Sequence, residues 1–424
     1  MKACVYTLGC KVNTYESEYV INELKKNNYE LVELDQKPDI IIINTCTVTN
    51  NSDAKSRKVI RQAKRMNPSA IIVAMGCFVE ANKAEIFEIM PEIDIALGTK
   101  NKSKIMDLIK EYDGNKINNT SNESDEKFDD MFIDSFNTRT RAFVKVQDGC
   151  NNFCSYCMIP YVRGKCRSKD LDTCIKEITT LVNNGFKEIV LTGIHTGNYG
   201  KDINTDFATL LKEVIKINGL KRLRISSIEA TELTKEVMEV IKNSNIIVNH
   251  FHVPIQSGSN KVLKLMNRKY NTDEFISIIE KLRSIKEDVS ITTDIITGHP
   301  GEDEESFNET IETLEKIRFS KLHVFPYSVR RGTPSSRLPQ VSDNVKKIHT
   351  DKLLELSRIY EEEYMNKFIG KEVEVLVETS KDGFSYGHTT NYLSVKIKGE
   401  LEHNTFVNVK ITSLEYPNVV GEAK

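Results

Sequence analysis

At 424 residues the chain is too long for a single core, and its 39% hydrophobic and 28% charged composition suits two or three soluble domains. No apolar run approaches the ~20 residues of a membrane span, and the first ten residues lack the apolar stretch of a secretory signal, so a cytoplasmic protein with no membrane partner is expected. A net charge of −2 gives no global attraction for nucleic acid, and nine cysteines, an odd number, point to metal binding or reactivity rather than a disulfide framework.

Three strand-like runs open the chain, and each ends at a cysteine. Lys2–Thr7 precedes Cys10, Ile40–Ile43 precedes Cys46, and Ile71–Met75 precedes Cys77. Helix-like stretches, Tyr15–Asn27 and Ser52–Met66, lie between them. This alternation predicts a parallel sheet covered by helices, whose carboxyl-end loops gather along one edge. The polar stretch Asn115–Asp130 lacks apolar periodicity and reads as a linker.

A second α/β series follows, with strands expected at Arg141–Gln147, Glu188–Thr192, Leu223–Ser227, His250–Ile255, Ser290–Thr297 and Lys321–Tyr327. Helices are expected at Leu171–Asn183, Phe207–Ile217, Thr234–Lys242, Asp273–Ile285 and Glu304–Ile317. Six strand–helix repeats suit an open, partial TIM-like barrel. A long helix, about Asn344–Ile369, ends at Gly370, and the alternating residues after it read as a small all-β module. The fold class is therefore α/β, with domains at 1–112 and 138–369, a linker at 113–137, and an all-β unit at 370–424.

Six cysteines form two sets of three. Cys150, Cys154 and Cys157 have C-x3-C-x2-C spacing just after the first barrel strand; Cys10, Cys46 and Cys77 are dispersed, and the strand-end geometry brings them together. Structural metal sites usually use four protein ligands, whereas three leave a coordination position open for a reacting molecule. A zinc knuckle is the plain alternative for the first set, and three buried thiols for the second. Cys4, Cys166 and Cys174 fit neither set and read as packing residues.

The C-x3-C-x2-C run, with Tyr156 before its third cysteine, is the signature of radical S-adenosylmethionine (SAM) enzymes. The blocks Val144–Cys150, Met158–Gly164, Asn44–Cys46, Met75–Cys77, Pro254–Ser259 and Thr293–Glu302 resemble the methylthiotransferases across essentially the whole chain. Within that family, Tyr6–Asn13 and Asn44–Asn50 look most like the branch acting on threonylcarbamoyladenosine in tRNA. The resemblance implies an N-terminal cluster domain, a radical SAM core and a C-terminal TRAM barrel that binds RNA. It implies two 4Fe-4S clusters, one on Cys150, Cys154 and Cys157 and an auxiliary one on Cys10, Cys46 and Cys77, together with S-adenosyl-L-methionine.

Tyr156 in the cysteine run, Thr192, Gly193 and Gly298 in loops at strand ends, and Gln256 and Asp294, polar side chains expected to point into the barrel or its mouth, are the residues expected to hold SAM; no further catalytic residue is singled out. His299 stands where the family commonly has an apolar aromatic. The implied reaction is methylthiolation at C2 of N6-threonylcarbamoyladenosine 37 in tRNA, with isopentenyladenosine or a ribosomal-protein aspartate as alternative targets. A zinc-stabilised RNA-binding protein without catalysis is the rival from another class. The implied partners are a tRNA anticodon stem-loop and an electron donor such as flavodoxin or ferredoxin, acting on a monomer. Lys55, Arg57, Lys58, Arg61, Lys64 and Arg65 form the densest basic segment. Residues 371–424 carry six Lys against eight Asp or Glu, so RNA contact there would rest on Tyr386, His388 and Tyr392.

Overall fold

β-Branched runs alternate with helices through the first 120 residues, and the computed structural model, which describes residues 1–120, 127–136 and 140–424, folds them into one parallel sheet. In chain order the elements are β1 (Lys2–Thr7), α1 (Lys11–Lys26), β2 (Glu30–Leu31), β3 (Ile40–Thr45), α2 (Asn50–Met66), β4 (Ile71–Gly76), α3 (Cys77–Ala81), α4 (Ile86–Ile89), β5 (Ile95–Leu97), α5 (Ile105–Glu111) and β6 (Ile117–Asn119). The strand order is β2-β1-β3-β4-β5-β6. The chain reverses its winding between β1 and β3, which is where open α/β sheets bind ligands. All six residues of β3 are buried, as expected of a strand covered on both faces.

One face of this sheet packs Tyr15, Val20 and Leu24 of α1 into the same core as the central domain, and the other face packs Val59, Ile60 and Ala63 of α2 and Phe78 of α3. The segment predicted as a linker, 113–137, contains a strand and buried residues among those described. Ile117–Asn119 pairs with β5 as the sheet's sixth strand, so the sheet extends past residue 112. Met131 and Ile133 are fully buried, and the Met131 carbonyl accepts from Tyr15 Oη at 2.8 Å. The rest of that prediction, residues 121–126 and 137, lies outside the described residues.

The central domain runs β7 (Arg141–Lys145), β8 (Gln147–Asp148), α6 (Ile159–Arg163), β9 (Arg167–Ser168), α7 (Leu171–Asn183), β10 (Glu188–Thr192), α8 (Phe207–Val214), β11 (Arg222–Ile225), α9 (Lys235–Lys242), β12 (His250–His252), α10 (Asn260–Leu265), α11 (Thr272–Ile285), β13 (Ser290–Thr297), α12 (Glu304–Ile317), β14 (Lys321–Pro326) and α13 (Asp343–Asn366). The six expected strands are present in two parallel ladders, β11-β10-β7 and β12-β13-β14. Between the ladders, among the described residues, runs one parallel bridge, Leu223 to Ile247. The strand expected to reach Ile255 stops at His252, because Pro254 has no N–H to donate and the Ile255 N–H goes to Thr293 Oγ1 at 2.8 Å. The short helices α6 and α10 carry too few turns for a periodic signal and were not expected.

Beyond α13, Gly370 turns the chain with φ +85°. β15 (Glu372–Lys381), β16 (Phe384–His388), β17 (Ser394–Lys398), β18 (Phe406–Glu415) and β19 (Asn418–Ala423) close into a barrel of order β15-β16-β17-β19-β18. Met365 and Phe368, at the end of α13, fill its core with Val375, Val395, Ile397 and Val409. No helix among the described residues is long and apolar enough to cross a membrane.

Candidate active site

β1, β3 and β4 are neighbours, with Thr7 opposite Asn44 and Thr45 opposite Gly76, so the residues that follow them emerge side by side. Those residues include Cys10, Cys46 and Cys77. The crowding explains two glycines. A Cβ on Gly9 would stand 3.0 Å from Cys46 Cβ, and one on Gly76 would stand 2.7 Å from Asn44 Oδ1; both have φ near +100°. Asn13 ties the loops together, its Nδ2 donating to Leu8 O at 2.7 Å and Thr45 O at 3.0 Å.

Beside these thiols lies a buried ion network that no motif announced. Arg163 of α6 is fully buried and donates to Glu16 and Asp148 at 3.0 Å each, and to Asn13 Oδ1 at 3.0 Å. Lys145 reaches Glu16 at 3.0 Å and Asp148 at 2.7 Å; Lys102 reaches Glu16 at 3.2 Å. Burial disfavours the Glu16 carboxylate, but Arg163, Lys102 and Lys145 together hold its pKa well below the ordinary value. Three cations face two carboxylates in this group, which leaves a positive surplus against the thiols. Burial pushes the Cys10 and Cys77 thiols up and the Arg163 charge pulls them back; burial likewise raises Cys46. Arg163 Nε is buried without a hydrogen-bond partner.

The second set sits on the turn after β8. Gly149 has φ +74°, and a Cβ there would fall 2.0 Å from the Lys165 carbonyl oxygen, so only glycine opens this turn. Two cationic groups flank the thiols. His195 Nδ1 lies 3.7 Å from Cys150 Sγ, and its Nε2 meets Glu232 at 2.6 Å. Burial opposes a charge on His195, yet its contacts with Cys150 and Glu232 raise it to about 10. Arg268 Nη1 approaches Cys154 Sγ at 3.5 Å and also engages Glu229. Burial raises Cys154 while Arg268 lowers it; burial pushes Cys157 up to about 12. Cys166, read as a packing residue, is half-buried and accepts from Gln147 Nε2 at 2.8 Å; Cys4 and Cys174 are buried.

Among the described residues, no three His, Cys, Asp or Glu side chains converge closely enough for one metal ion. Within each set the thiols are nonetheless near enough to raise one another's proton affinity. Three thiols backed by Arg163 in one set, and by Arg268 and His195 in the other, form donor chemistry that fits an anionic iron–sulfur cluster with an open iron.

The residues expected to hold SAM are placed unevenly. Tyr156 stands edge-on to His299 at 6.2 Å. Thr192 is buried at the end of β10, and the tight approach at Gly193 is to Gln147, whose Oε1 would lie 3.0 Å from an added Cβ. At Gly298, with φ +68°, an added Cβ would lie 2.3 Å from Cγ of Lys346 of α13. Gln256 is held at φ +69° between Asp294 and Ile296, a strained backbone for a non-glycine residue. Asp294 opens into a cavity of about 800 Å³.

All three parts of the chain line that cavity. Gly9 and Lys11 come from the N-terminal sheet, His250, His252, Asp294 and His323 from the central domain, and His388 and Tyr392 from the C-terminal barrel. Tyr392 stacks on His388 at 4.5 Å and on His250 at 4.9 Å. The aromatic residues expected to offer RNA a stacking surface therefore include two, His388 and Tyr392, that line this chamber. Burial, with Arg224 and Lys11 adding to it, drives His250 well below its ordinary pKa; burial, with His252 adding to it, brings His323 to about 4. Burial first, then Arg224 and Arg141, lowers Lys11 to about 8. A separate surface groove is lined by Arg57, Lys58, Arg61 and Arg65 of α2.

Residues 144–314 match the model of the radical SAM superfamily, and residues 2–98 that of uncharacterized protein family UPF0004. The chain is 44% identical to the threonylcarbamoyladenosine tRNA methylthiotransferase MtaB of Bacillus subtilis (strain 168), over 98% of this chain and 95% of that protein. The MtaB of Aquifex aeolicus (strain VF5) is 38% identical, over 97% and 100%. The tRNA-2-methylthio-N(6)-dimethylallyladenosine synthase of Thermodesulfovibrio yellowstonii is 36% identical, over 99% and 97%. Among solved structures, the radical S-adenosylmethionine methyltransferase TsrM from Kitasatospora setae shares the fold at a TM-score of 0.59, with 12% identity over 79% of this chain and 77% of that one. With both thiol sets inside the matched regions and relatives aligned from end to end, the chain belongs to the radical SAM methylthiotransferase family.

Proposed function

We propose that this protein transfers a methylthio group to C2 of N6-threonylcarbamoyladenosine 37 in tRNA. The observation that carries the reading is the second thiol set, whose Cys10 lies between two residues, Gly9 and Lys11, that line a chamber walled by all three parts of the chain. A single thiol set would serve radical generation alone; the second gives the sulfur a place to be held. The 44% identity to a relative named for this nucleoside supports the substrate.

In this reading Cys150, Cys154 and Cys157 would hold one 4Fe-4S cluster, and Cys10, Cys46 and Cys77 the other. When bound, the clusters and SAM supply the electron, the radical and the methylated sulfur that the transfer needs. The chain's own residues position and insulate. Arg163 and Arg268 offset the negative charge of the thiolates, which burial alone would protonate. His195, held by Glu232, fixes charge and orientation beside Cys150. Asp294, Gln256, Thr192, Gly193 and Tyr156 form the surroundings offered to SAM. The C2 hydrogen of adenine is not acidic, so no acid–base pair is needed and none is assigned. An anticodon-loop base is unstacked at low cost and can enter a closed site. The basic groove of α2 supports phosphate contact outside the chamber, and the one-electron donor would be a flavodoxin or ferredoxin.

Mass spectrometry of tRNA nucleosides from cells lacking the gene tests the reading. The 2-methylthio-threonylcarbamoyladenosine signal should disappear while the methylthio-isopentenyl signal persists; an unchanged first signal would refute it.

A further inference from the structure

The chamber wall carries Lys11 and Lys321 against Asp294 and Glu361, and of these four Lys11 alone lacks a direct partner among the described residues. Its acidic wall residues are already engaged: Asp294 with His252 at 3.3 Å, and Glu361 with Lys321 at 3.0 Å. Lys11, exposed into the chamber, makes no ion pair or hydrogen bond among the described residues. Behind the Tyr392 wall stands Arg224, its guanidinium 4.6 Å from the ring centroid. Nε of Arg224 binds Glu188 at 2.9 Å, while both of its terminal nitrogens are buried with no partner. A chamber that presents a free lysine disfavours a neutral aliphatic guest, because desolvating that group without pairing it costs free energy that a carboxylate would return.

Of the N6 substituents named among the relatives, threonylcarbamoyl ends in a carboxylate and dimethylallyl in hydrocarbon. The carbamoyl-linked N–H folds back onto ring N1, which brings that carboxylate round toward the C2 edge. Lys11 directly follows Cys10, so a carboxylate on Lys11 would leave C2 turned toward the N-terminal thiol set. We propose that Lys11 binds the carboxylate of the N6 substituent, with the Arg224 charge behind Tyr392 adding attraction at longer range, and thereby sets the preference for threonylcarbamoyladenosine over an apolar N6 group. The inference rests on the reaction proposed above and adds the determinant of its selectivity.

The test uses reconstituted holoenzyme and three anticodon stem-loops, bearing threonylcarbamoyladenosine, its methyl ester, and isopentenyladenosine. Affinity is read by fluorescence anisotropy and product by mass spectrometry, for wild type, Lys11→Met and Lys11→Arg. The expected result is that wild type binds the free acid about tenfold or more tightly than the ester, as removing one charged partner predicts. Lys11→Met should lose that margin with the ester unaffected, and Lys11→Arg should keep most of it. Equal affinity of wild type for acid and ester, or a Lys11→Met variant that weakens both loops alike or neither, overturns this inference alone. A wild type that methylthiolates the isopentenyl loop and leaves the threonylcarbamoyl loop untouched overturns the proposed substrate as well.

Discussion

The two thiol sets are chemically alike and electrostatically distinct, because different residues back them. If Cys10, Cys46 and Cys77 hold a cluster of their own, Cys46→Ala should lower iron from about eight to about four per chain. SAM cleavage should persist and thiolated product vanish; an assay showing intact thiolation would contradict the assignment. His195→Ala removes the cation beside Cys150 and should slow SAM cleavage about 10- to 100-fold, the usual effect of losing a residue that orients a metal ligand. A third expectation concerns pH. Burial holds His299 at about 4, far below a free imidazole, with Nε2 bonded to Ser335 Oγ at 2.8 Å. Between pH 6.5 and 4 the unfolded chain therefore binds more protons at this position, so stability is intact above 6.5 and falls by up to about 3 kcal/mol on acidification. Denaturant titrations of the metal-free protein at pH 4.5 and 7 should show a smaller loss in His299→Phe than in wild type. At this scale the sequence revealed the thiols and hid their partners. Cysteine spacing is visible in a string of letters, whereas Arg163 meets Glu16 across 147 residues and Arg268 meets Cys154 across 114, contacts that only the tertiary fold creates.

Among the elements, the strands and long helices followed their periodicity closely: β10 and β13, and the helices α7 and α12, occupy the expected residues. The misses have local causes. Pro254 shortens β12, and β6 is made of Ile117-Asn118-Asn119, a composition that turns use more than strands do, held in place by pairing with β5. Thr192 was legible as a strand-end position and Asp294 as a polar residue within a strand, while Gly193 and Gly298 were legible only as glycines; what crowds them, Gln147 and Lys346, was not. The turn at Gly149 shows how one element governs a site. Gly149→Ala would drive a methyl group into the Lys165 carbonyl at a positive φ. It should cost several kcal/mol locally and remove about half the bound iron, which metal analysis would read directly.

For the molecule as a whole, near-zero net charge conceals an uneven distribution. The α2 groove concentrates Arg57, Lys58, Arg61 and Arg65, while the C-terminal barrel is slightly acidic. Reversing two of these charges, Lys58→Glu with Arg65→Glu, should weaken tRNA binding at every sequence and flatten its dependence on log salt concentration by about two. An unchanged slope would place the phosphates elsewhere. The barrel's own part is different in kind. Tyr392 reaches inward to stack on His250 of the central domain, completing a wall of the chamber from outside the domain that carries Cys150, Cys154 and Cys157. Exchanging this terminal module for that of a relative would therefore alter the chamber as well as the barrel's own surface. If the nucleoside enters the chamber as proposed, the exchange would also reshape the mould offered to it.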